Sequence, residues 1–351
     1  MQSIEQRLGL TSAELKTHLA EIFPGISGSP ALSILQGDAS DRSYFRIHMN
    51  PTGKSPHSLV IMKLPARWSL GELPFLNIQR YLERQGLPVP KVYGYREDKE
   101  IVFLEDLGDR TLAEEVRGMS LSALRNSYRQ TVDLLVRLQT SAIRNPDPDC
   151  IAFRRQFDAT QFLQELLHFQ RYMIVELGRK EISPEDQSNF LREFSSLCEL
   201  VGREDQVLCH RDYHSRNLMV NGNSLGLLDF QDARLGPRSY DLASLLRDSY
   251  TVLPESLCQE MIDTFCGLLE EAGHAPIPRE TFRQQFDFMA LQRNLKAIGT
   301  FAFQAVAKNN DRYLQHVPAT RAYVEKTVNR YKSLEPLRRL LEKYLFPWQP
   351  V

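Results

Sequence analysis

The first third of the chain, up to about residue 104, consists of short apolar runs separated by polar residues, glycine and proline. Such runs predict strands, whereas residues 75–85 have the apolar spacing of a helix. The capping-box spacing from Thr11 to Glu14 predicts another helix over residues 12–23. The predicted strands cover residues 32–36, 44–49, 59–64, 91–95 and 101–104.

After about residue 112 the pattern changes to long amphipathic segments with apolar residues three and four positions apart. An island at 207–229 interrupts them with three short apolar runs, and Asn221-Gly222-Asn223 within it is typical of a hairpin turn. The order predicts an α+β fold divided into residues 1–104, a connector at 105–108, and residues 109–351. The predicted helices include 121–138, 157–177, 187–201 and 280–303.

Composition narrows the class of protein. The chain has 351 residues, of which 42% are hydrophobic, and a formal net charge of -1. A nearly neutral surface gives no general attraction to nucleic acid or anionic membranes, and no obligate protein partner is evident. The five cysteines are scattered without a CxxC pair, which argues against a disulfide framework and a zinc site. No apolar run approaches the roughly 18 residues of a membrane span, so we expect a soluble cytoplasmic protein.

Two motifs carry candidate chemistry: His-Arg-Asp-Tyr-His-Ser-Arg-Asn at 210–217 and Asp-Phe-Gln-Asp at 229–232. Phosphoryl transfer needs a carboxylate to orient the acceptor hydroxyl, oxygen ligands for magnesium, and a cation on the nucleotide phosphates. The five-residue spacing from Asp212 to Asn217 matches a kinase catalytic loop, and Asp229 follows a strand-turn-strand. We therefore predict Asp212 as the base, with Asn217 and Asp229 as Mg²⁺ ligands.

Each motif alone is weak, because an aspartate in a loop more often caps a turn than performs chemistry. Together, in this order and with a hairpin between them, they become specific. His210 and His214 are better explained as structural hydrogen-bonding groups that shape the loop than as a metal-binding pair. Asp232 is open to two interpretations, a further metal ligand or a loop-stabilising residue.

The nucleotide-binding candidates lie in the strand-rich part. Lys63 stands in an otherwise apolar strand, which is costly unless its ammonium group meets a partner such as a phosphate. The alternative is an edge-strand lysine that snorkels to water. The turn before it offers Gly37, Ser40 and Ser43 as phosphate-binding positions. At the connector, an apolar strand runs into acidic residues and glycine, and we expect Glu105 and Leu107 to contact ATP there.

These motifs resemble the aminoglycoside phosphotransferase superfamily, and within it the bacterial anomeric N-acetylmuramate/N-acetylglucosamine kinases of cell-wall recycling. The resemblance implies a bilobal, protein-kinase-like fold with an antiparallel sheet and a helix in the N-lobe and a mainly helical C-lobe. In the broader superfamily the loop usually reads His-Gly-Asp, so Arg211 favours the sugar-kinase branch. The matching segments are 37–40, 44–46, 103–108, 210–219, 228–233, 240–248 and 291–299.

The resemblance also implies a reaction: ATP and magnesium convert the free sugar to a sugar 1-phosphate for peptidoglycan synthesis. Asp212 would take or orient the proton of the anomeric hydroxyl, with Arg211 and Gln231 on the acceptor side. Arg293 and Lys296, three apart on one helix face, are candidates to meet a muramyl carboxylate, although a solvated or salt-bridged helix face explains them equally well.

One position departs from the superfamily pattern. Relatives place a glutamate on the helix after the lysine strand to orient that lysine, but this chain has Asn77 there, with Glu72 before the helix and Glu83 beyond. The partner of Lys63 is therefore open.

Three other functions share parts of this motif pattern. A protein kinase fits poorly, because Asp241 follows Asp229 after only 12 residues, which leaves no room for an activation loop. An aminoglycoside, choline or homoserine kinase would differ only in its acceptor. A pseudokinase scaffold is disfavoured because all three catalytic oxygen donors are present.

Overall fold

The computed structural model describes residues 4–24, 27–35, 42–50, 56–66, 73–222 and 224–349. The chain forms two compact units. The first comprises Met1–Arg110 and Met219–Gln231, and the second comprises Thr111–Leu218 and Asp232–Val351. The predicted α+β class is confirmed, since a five-stranded antiparallel sheet precedes a mainly helical part. The predicted connector at 105–108 stays a prediction.

The sheet of the first unit has the strand order β1-β2-β3-β5-β4, and every neighbouring pair is antiparallel. All five predicted strands and both predicted helices are confirmed, and a short helix precedes them. The strands are β1 Ser27–Leu35, β2 Ser43–Asn50, β3 Ser58–Lys63, β4 Val92–Arg96 and β5 Ile101–Glu105; the helices are α1 Ile4–Leu8, α2 Ser12–Ile22 and α3 Pro74–Arg84.

One face of this sheet packs against α1 and α2 and forms a core with them. Side chains alternate between the two faces of a strand, so residues two apart share this apolar face. The capping box at Thr11 and Glu14 begins α2 as predicted. The core residues are Leu8, Leu10, Leu15 and Leu19 with Phe45, Ile47, Met49, Leu59, Ile61, Ile101 and Phe103.

Three further strands lie in the island that interrupts the helical pattern, and a fourth follows it. They are β6 Gln206–Cys209, β7 Leu218–Asn221, β8 Ser224–Leu227 and β9 Arg234–Pro237. β6 pairs with β9, and β7 pairs with β8 as the predicted hairpin, in which Gly222 has a φ of 59°. The hairpin is joined to the first unit, since the backbone N–H of Leu227 donates to the carbonyl of Pro88 at 2.7 Å. Phe230 stacks on Phe75 with ring centroids 5.0 Å apart.

Helices dominate the second unit. The four predicted amphipathic segments are helical, but the segment predicted over 157–177 begins at Ala159 and continues beyond Phe169 as a π-helix, Gln170–Leu177. The longest helix has 30 residues. The helices are α4 Leu112–Glu115, α5 Leu121–Arg144, α6 Ala159–Phe169, α7 Pro184–Gly202, α8 Tyr240–Leu246, α9 Glu255–Glu271, α10 Arg279–Lys308, α11 Val317–Arg330 and α12 Glu335–Tyr344.

Two expectations from composition concern membrane-spanning helices and cysteine pairing. None of the helices among them has the length and apolar character needed to cross a membrane. All five cysteines are buried as free thiols.

Candidate active site

The loop at 210–217 follows β6, and a buried carboxylate holds its first residues. Asp241 of α8 accepts hydrogen bonds from the backbone N–H groups of His210 at 2.6 Å and Arg211 at 3.0 Å. Burial raises the pKa of Asp241 to about 7, and these two N–H groups oppose that rise. Arg211 has a φ of 79°, a left-handed conformation that non-glycine residues seldom adopt. Asp241 therefore fixes a strained residue next to Asp212.

A second carboxylate holds the later part of the loop. Asp248, two residues after α8, accepts hydrogen bonds from the backbone N–H of Ser215 at 2.9 Å and from its hydroxyl at 2.5 Å. Within the loop, the Asn217 side-chain amide donates to the backbone carbonyl of Asp212 at 2.9 Å. The loop is thus held at both ends, and Asn217 lies against Asp212 as the five-residue spacing predicts.

Asp212 is surrounded by positive charge. Its Oδ1 lies 4.0 Å from the Nζ of Lys296. Burial by itself would raise the pKa of Asp212, but Lys296, followed by His214 and Arg293, holds that pKa well below its usual range. The carboxyl group is therefore ionised at neutral pH and suited to accept a hydrogen bond from a hydroxyl group.

Arg211 and Lys296 also line a cavity of about 470 Å³ in the second unit. The Nη2 of Arg211 donates to Glu165 at 3.0 Å, and its guanidinium lies 4.5 Å from the ring centroid of Phe157. Gln292 donates to the other oxygen of Glu165, also at 3.0 Å. A polar, preorganised cavity therefore shares Lys296 with Asp212.

Arg293 is placed differently from Lys296, although both were predicted to meet a substrate carboxylate. Arg293 is 5% exposed, its guanidinium lies 5.8 Å from the ring centroid of Tyr240, and it is not among the residues that line the cavity. Its role in substrate binding stays a prediction, whereas Lys296 stands where a ligand in the cavity would meet it.

Asp229 lies in the first unit, directly after β8. Its φ is 62°, and its Oδ1 accepts a hydrogen bond from the side chain of Gln231 at 2.7 Å. Burial raises the pKa of Tyr44, Arg42 lowers it, and the charge of Asp229 adds to the rise. Gln231, which was predicted to lie on the side of the phosphoryl acceptor, thus donates a hydrogen bond to Asp229, a predicted Mg²⁺ ligand.

Lys63 ends β3 and pairs in register with Ser43 at the start of β2. It shares the parity of Leu59 and Ile61, so its side chain leaves the sheet on the face that packs against α1 and α2. The ammonium group donates to Glu100 at 2.8 Å and to the carbonyl of Lys99 at 2.5 Å.

This arrangement answers the open question of its partner. The carboxylate comes from the turn between β4 and β5, not from α3, because that turn lies beside the end of β3 in the sheet. The nucleotide role of Lys63 stays a prediction and competes with this ion pair.

Only some of the remaining predicted nucleotide-binding residues lie among the described residues. Gly37 and Ser40 lie outside the described residues. The backbone N–H of Glu105 donates to the carbonyl of Lys91 at 2.9 Å, and Leu107 packs against Gly226, where an added Cβ would lie 2.6 Å from its side chain. Their contact with ATP stays a prediction.

The connector has an ion pair that sequence reasoning missed. Arg46 of β2 reaches Asp106, with 2.7 Å between Nε and Oδ2, and also donates to the carbonyl of Gly108 at 3.0 Å. Burial raises the pKa of Asp106, but hydrogen bonds from Ser58, Arg46 and Gly108 bring it below its ordinary value. This clamp holds the connector to the sheet.

The predicted metal ligands suit a hard cation by type. Asn217 donates through its nitrogen, which leaves an amide oxygen, and Asp229 offers carboxylate oxygens, the donors Mg²⁺ prefers. Within the described part of the chain, no three His, Cys, Asp or Glu residues cluster as a metal site. The pair predicted here has only one such residue, Asp229, because Asn217 is an amide.

Sequence reasoning also missed the residues that support the loop at 210–217 and shape the cavity. Asp248 was noted only within the matching segment 240–248, and Asp241 served otherwise only to show the short interval after Asp229; their seven-residue spacing in a largely apolar run was the available signal. Glu165 and Arg234 gave no signal, because α6 and β9 are brought to the cavity only by the fold.

Comparison with solved structures identifies the class of fold. The chain aligns with choline kinase from Cryptosporidium parvum Iowa II with a TM-score of 0.64 and 13% identity, covering 95% of this chain and 100% of the other. Aminoglycoside phosphotransferase APH(2'')-Ib, solved with ADP bound, aligns with a TM-score of 0.58 and 17% identity, covering 90% and 97%. The fold is therefore that of small-molecule kinases.

Comparison of sequences identifies the family. The model of the phosphotransferase enzyme family matches residues 31–277, and the chain belongs to this family. It is 30% identical over 332 residues to N-acetylmuramate/N-acetylglucosamine kinase of Neisseria meningitidis serogroup B, covering 93% of this chain and 94% of the relative. The chain is an ATP-dependent small-molecule phosphotransferase.

Proposed function

We propose that this kinase transfers the terminal phosphoryl group of ATP to the anomeric hydroxyl of N-acetylmuramate, N-acetylglucosamine or both. The product would be a sugar 1-phosphate for peptidoglycan recycling. The observation that carries the proposal is the likeness to a kinase named for these two sugars, at 30% identity over 93% of this chain. The cavity of about 470 Å³ that shares Lys296 with Asp212 supports it from the structural side.

In the proposed mechanism, Asp212 orients the anomeric hydroxyl and accepts its proton as the bond to phosphorus forms. The low pKa of Asp212 keeps its oxygens free of protons, so positioning contributes more than strong basicity. Asn217 and Asp229 are the proposed magnesium ligands. When bound, magnesium would neutralise charge on the phosphates. Arg211 would help shape the acceptor site through its bond to Glu165.

The charge of the cavity argues against the nearest alternative acceptors. Aminoglycosides and choline are cations, and they require an acidic or aromatic surface. Here Arg211, Arg234 and Lys296 line the cavity with Glu165 as the one carboxylate among the lining residues. A neutral or anionic acceptor fits this lining better.

The proposal is tested by supplying ATP and magnesium with a panel of acceptors. The panel contains both acetylated sugars, their 1-O-methyl glycosides, choline and an aminoglycoside. We expect acid-labile phosphate from at least one free acetylated sugar and none from the methyl glycosides, which lack an anomeric hydroxyl. Turnover of choline or the aminoglycoside with neither sugar consumed would refute the proposal.

A further inference from the structure

The cavity in the second unit is built from elements that are far apart in sequence. Its volume is about 470 Å³, large enough for a monosaccharide. Three of its lining residues are arginine or lysine, and the balance of their charges determines which ligand they suit. Six of the lining residues are charged or polar groups that set its charge: Gln161, Glu165 and His168 of α6, Lys296 of α10, Arg211 and Arg234.

Two of the three cations each have a carboxylate close by. Arg211 donates to Glu165 at 3.0 Å, so that pair is close to neutral. Lys296 lies 4.0 Å from Asp212 and balances the charge of that carboxylate. Neither cation is therefore the main source of net charge in the cavity.

Arg234 is different. Its Nη1 donates at 3.2 Å to the amide oxygen of Gln161 and its Nε at 3.1 Å to the backbone carbonyl of Asp232, both neutral acceptors. Its ion pair with Asp232 is 3.7 Å long, beyond hydrogen-bond distance, and the Asp232 side chain is 53% exposed, where water screens its charge. The Arg234 side chain is only 15% exposed. Its guanidinium is thus largely desolvated, and the carboxylate that it pairs with, Asp232, is more exposed to screening water than Asp212, whose side chain is 31% exposed beside Lys296.

The other titratable group in the wall does not add to this charge. Burial, then the positive charge of Arg171, lowers the pKa of His168 below its ordinary value, so its imidazole is neutral at pH 7. Of the three cations that line the cavity, Arg234 is therefore the one whose charge is least balanced by a buried carboxylate.

We propose that Arg234 binds a carboxylate of the phosphoryl acceptor and makes the enzyme selective for acceptors with a single negative charge. A guanidinium group matches a carboxylate with two parallel hydrogen bonds, which are stronger than its present bond to an amide. The inference rests on the proposed amino-sugar kinase activity. N-acetylmuramate differs from N-acetylglucosamine by a lactyl ether, which adds one carboxylate to the same sugar.

The test measures binding without turnover. Calorimetric titration of each sugar into wild type, Arg234→Gln and Arg283→Gln gives six dissociation constants. Arg283 is the matched control, because its side chain is 20% exposed and its ion pair with Asp263 is 3.6 Å long, but it is not a cavity residue. We expect Arg234→Gln to weaken N-acetylmuramate binding by about tenfold or more and N-acetylglucosamine binding by less than about twofold. Arg283→Gln should change neither.

Equal weakening of both sugars by Arg234→Gln, or no binding of N-acetylmuramate to the folded wild type, would overturn the inference. Arg234→Lys should recover part of the affinity for N-acetylmuramate if charge is the cause. A wild type that bound N-acetylmuramate in this Arg234-dependent manner while phosphorylating neither sugar would refute the kinase proposal and still support the carboxylate site.

Discussion

Two residues of the chemistry-bearing motifs adopt backbone conformations that cost energy. Arg211 and Asp229 have φ angles of 79° and 62°, and such strain costs on the order of 1–3 kcal/mol unless surrounding contacts enforce it. Asp241 enforces it at Arg211 through two backbone hydrogen bonds. At this scale the sequence identified the residues but not their strain, because neither is a glycine.

Lys63 provides a prediction about a single side chain. Its ammonium group is bound by Glu100 and by the carbonyl of Lys99 at the turn before β5. Because this pair is largely buried, we expect Lys63→Met to lower the free energy of unfolding by about 1–2 kcal/mol. Urea denaturation measures that loss, and the KM for ATP of the same variant tests the predicted nucleotide role of Lys63.

The control is Lys99→Met, which removes a more exposed pair with Glu14 from the same turn. It should cost less stability than Lys63→Met does, because water screens an exposed pair. A tenfold rise in the KM for ATP with unchanged stability in Lys63→Met would show instead that Lys63 serves the nucleotide, as its position in an apolar strand first indicated.

Glu204 gives a prediction about pH. It is 7% exposed and accepts hydrogen bonds from the backbone and hydroxyl of Ser239. Burial, against those bonds, raises its pKa from 4.5 to about 7. Between pH 4.5 and about 7, the folded state therefore holds a proton on Glu204 that the unfolded state has released. This proton stabilises the folded state at low pH, and the stabilisation is lost as the pH rises through about 7.

We expect Glu204→Gln to remove this dependence. The unfolding free energy of wild type, measured relative to that of Glu204→Gln, should fall by about 2–3 kcal/mol between about pH 5 and pH 8. Thermal or urea unfolding across that range measures the difference. Parallel pH profiles for the two proteins would mean that Glu204 does not hold a raised pKa.

At the scale of the elements, α10 approaches the end of α6 closely beside the cavity. A Cβ on Gly299 would lie 2.5 Å from the backbone Cα of Phe169, which cannot yield as a side chain could. We expect Gly299→Ala to cost about 1–3 kcal/mol by overpacking. Because Thr300 and His168 are cavity residues adjacent to this contact, acceptor affinity should fall as well.

Gly267→Ala is the matched control. Gly267 lies in the middle of α9, and nothing stands within 4 Å of its added Cβ. Alanine there should be neutral or stabilising by up to about 1 kcal/mol, since glycine weakens a helix interior. Stability and acceptor affinity are compared in both variants, and an equally harmless Gly299→Ala would contradict the described packing.

The strands and helices were the most predictable features of the structure. Period and turn residues located β1 to β5, α2, α3 and the β7-β8 hairpin, because each depends on local spacing. The change to a π-helix after Phe169 was not predictable, since its apolar pattern continues as in an ordinary helix. Likewise, the contact at Gly299 depends on a residue 130 positions away, and no local pattern reveals it.

At the scale of the whole molecule, the candidate site residues could be predicted from the sequence, but the contacts that support them could not. Asp212, Asn217 and Asp229 were found from spacing within two short motifs. Glu100, Asp241 and Arg234 were not assigned their roles, because their partners lie in other elements and only the folded chain joins them. Sequence reasoning thus reached the reaction class, while the charge balance of the acceptor cavity required the structure.

The most direct test of the central claim is the rate of acid-labile sugar 1-phosphate formation by Asp212→Asn, measured with saturating ATP, magnesium and an acetylated amino sugar. Asp149→Asn, at a side chain that is 93% exposed, is the matched control for the same chemical change. We predict that Asp212→Asn lowers kcat by about 100-fold or more while the fold is retained, and that Asp149→Asn leaves it unchanged. An Asp212→Asn variant as active as the wild type would contradict the account.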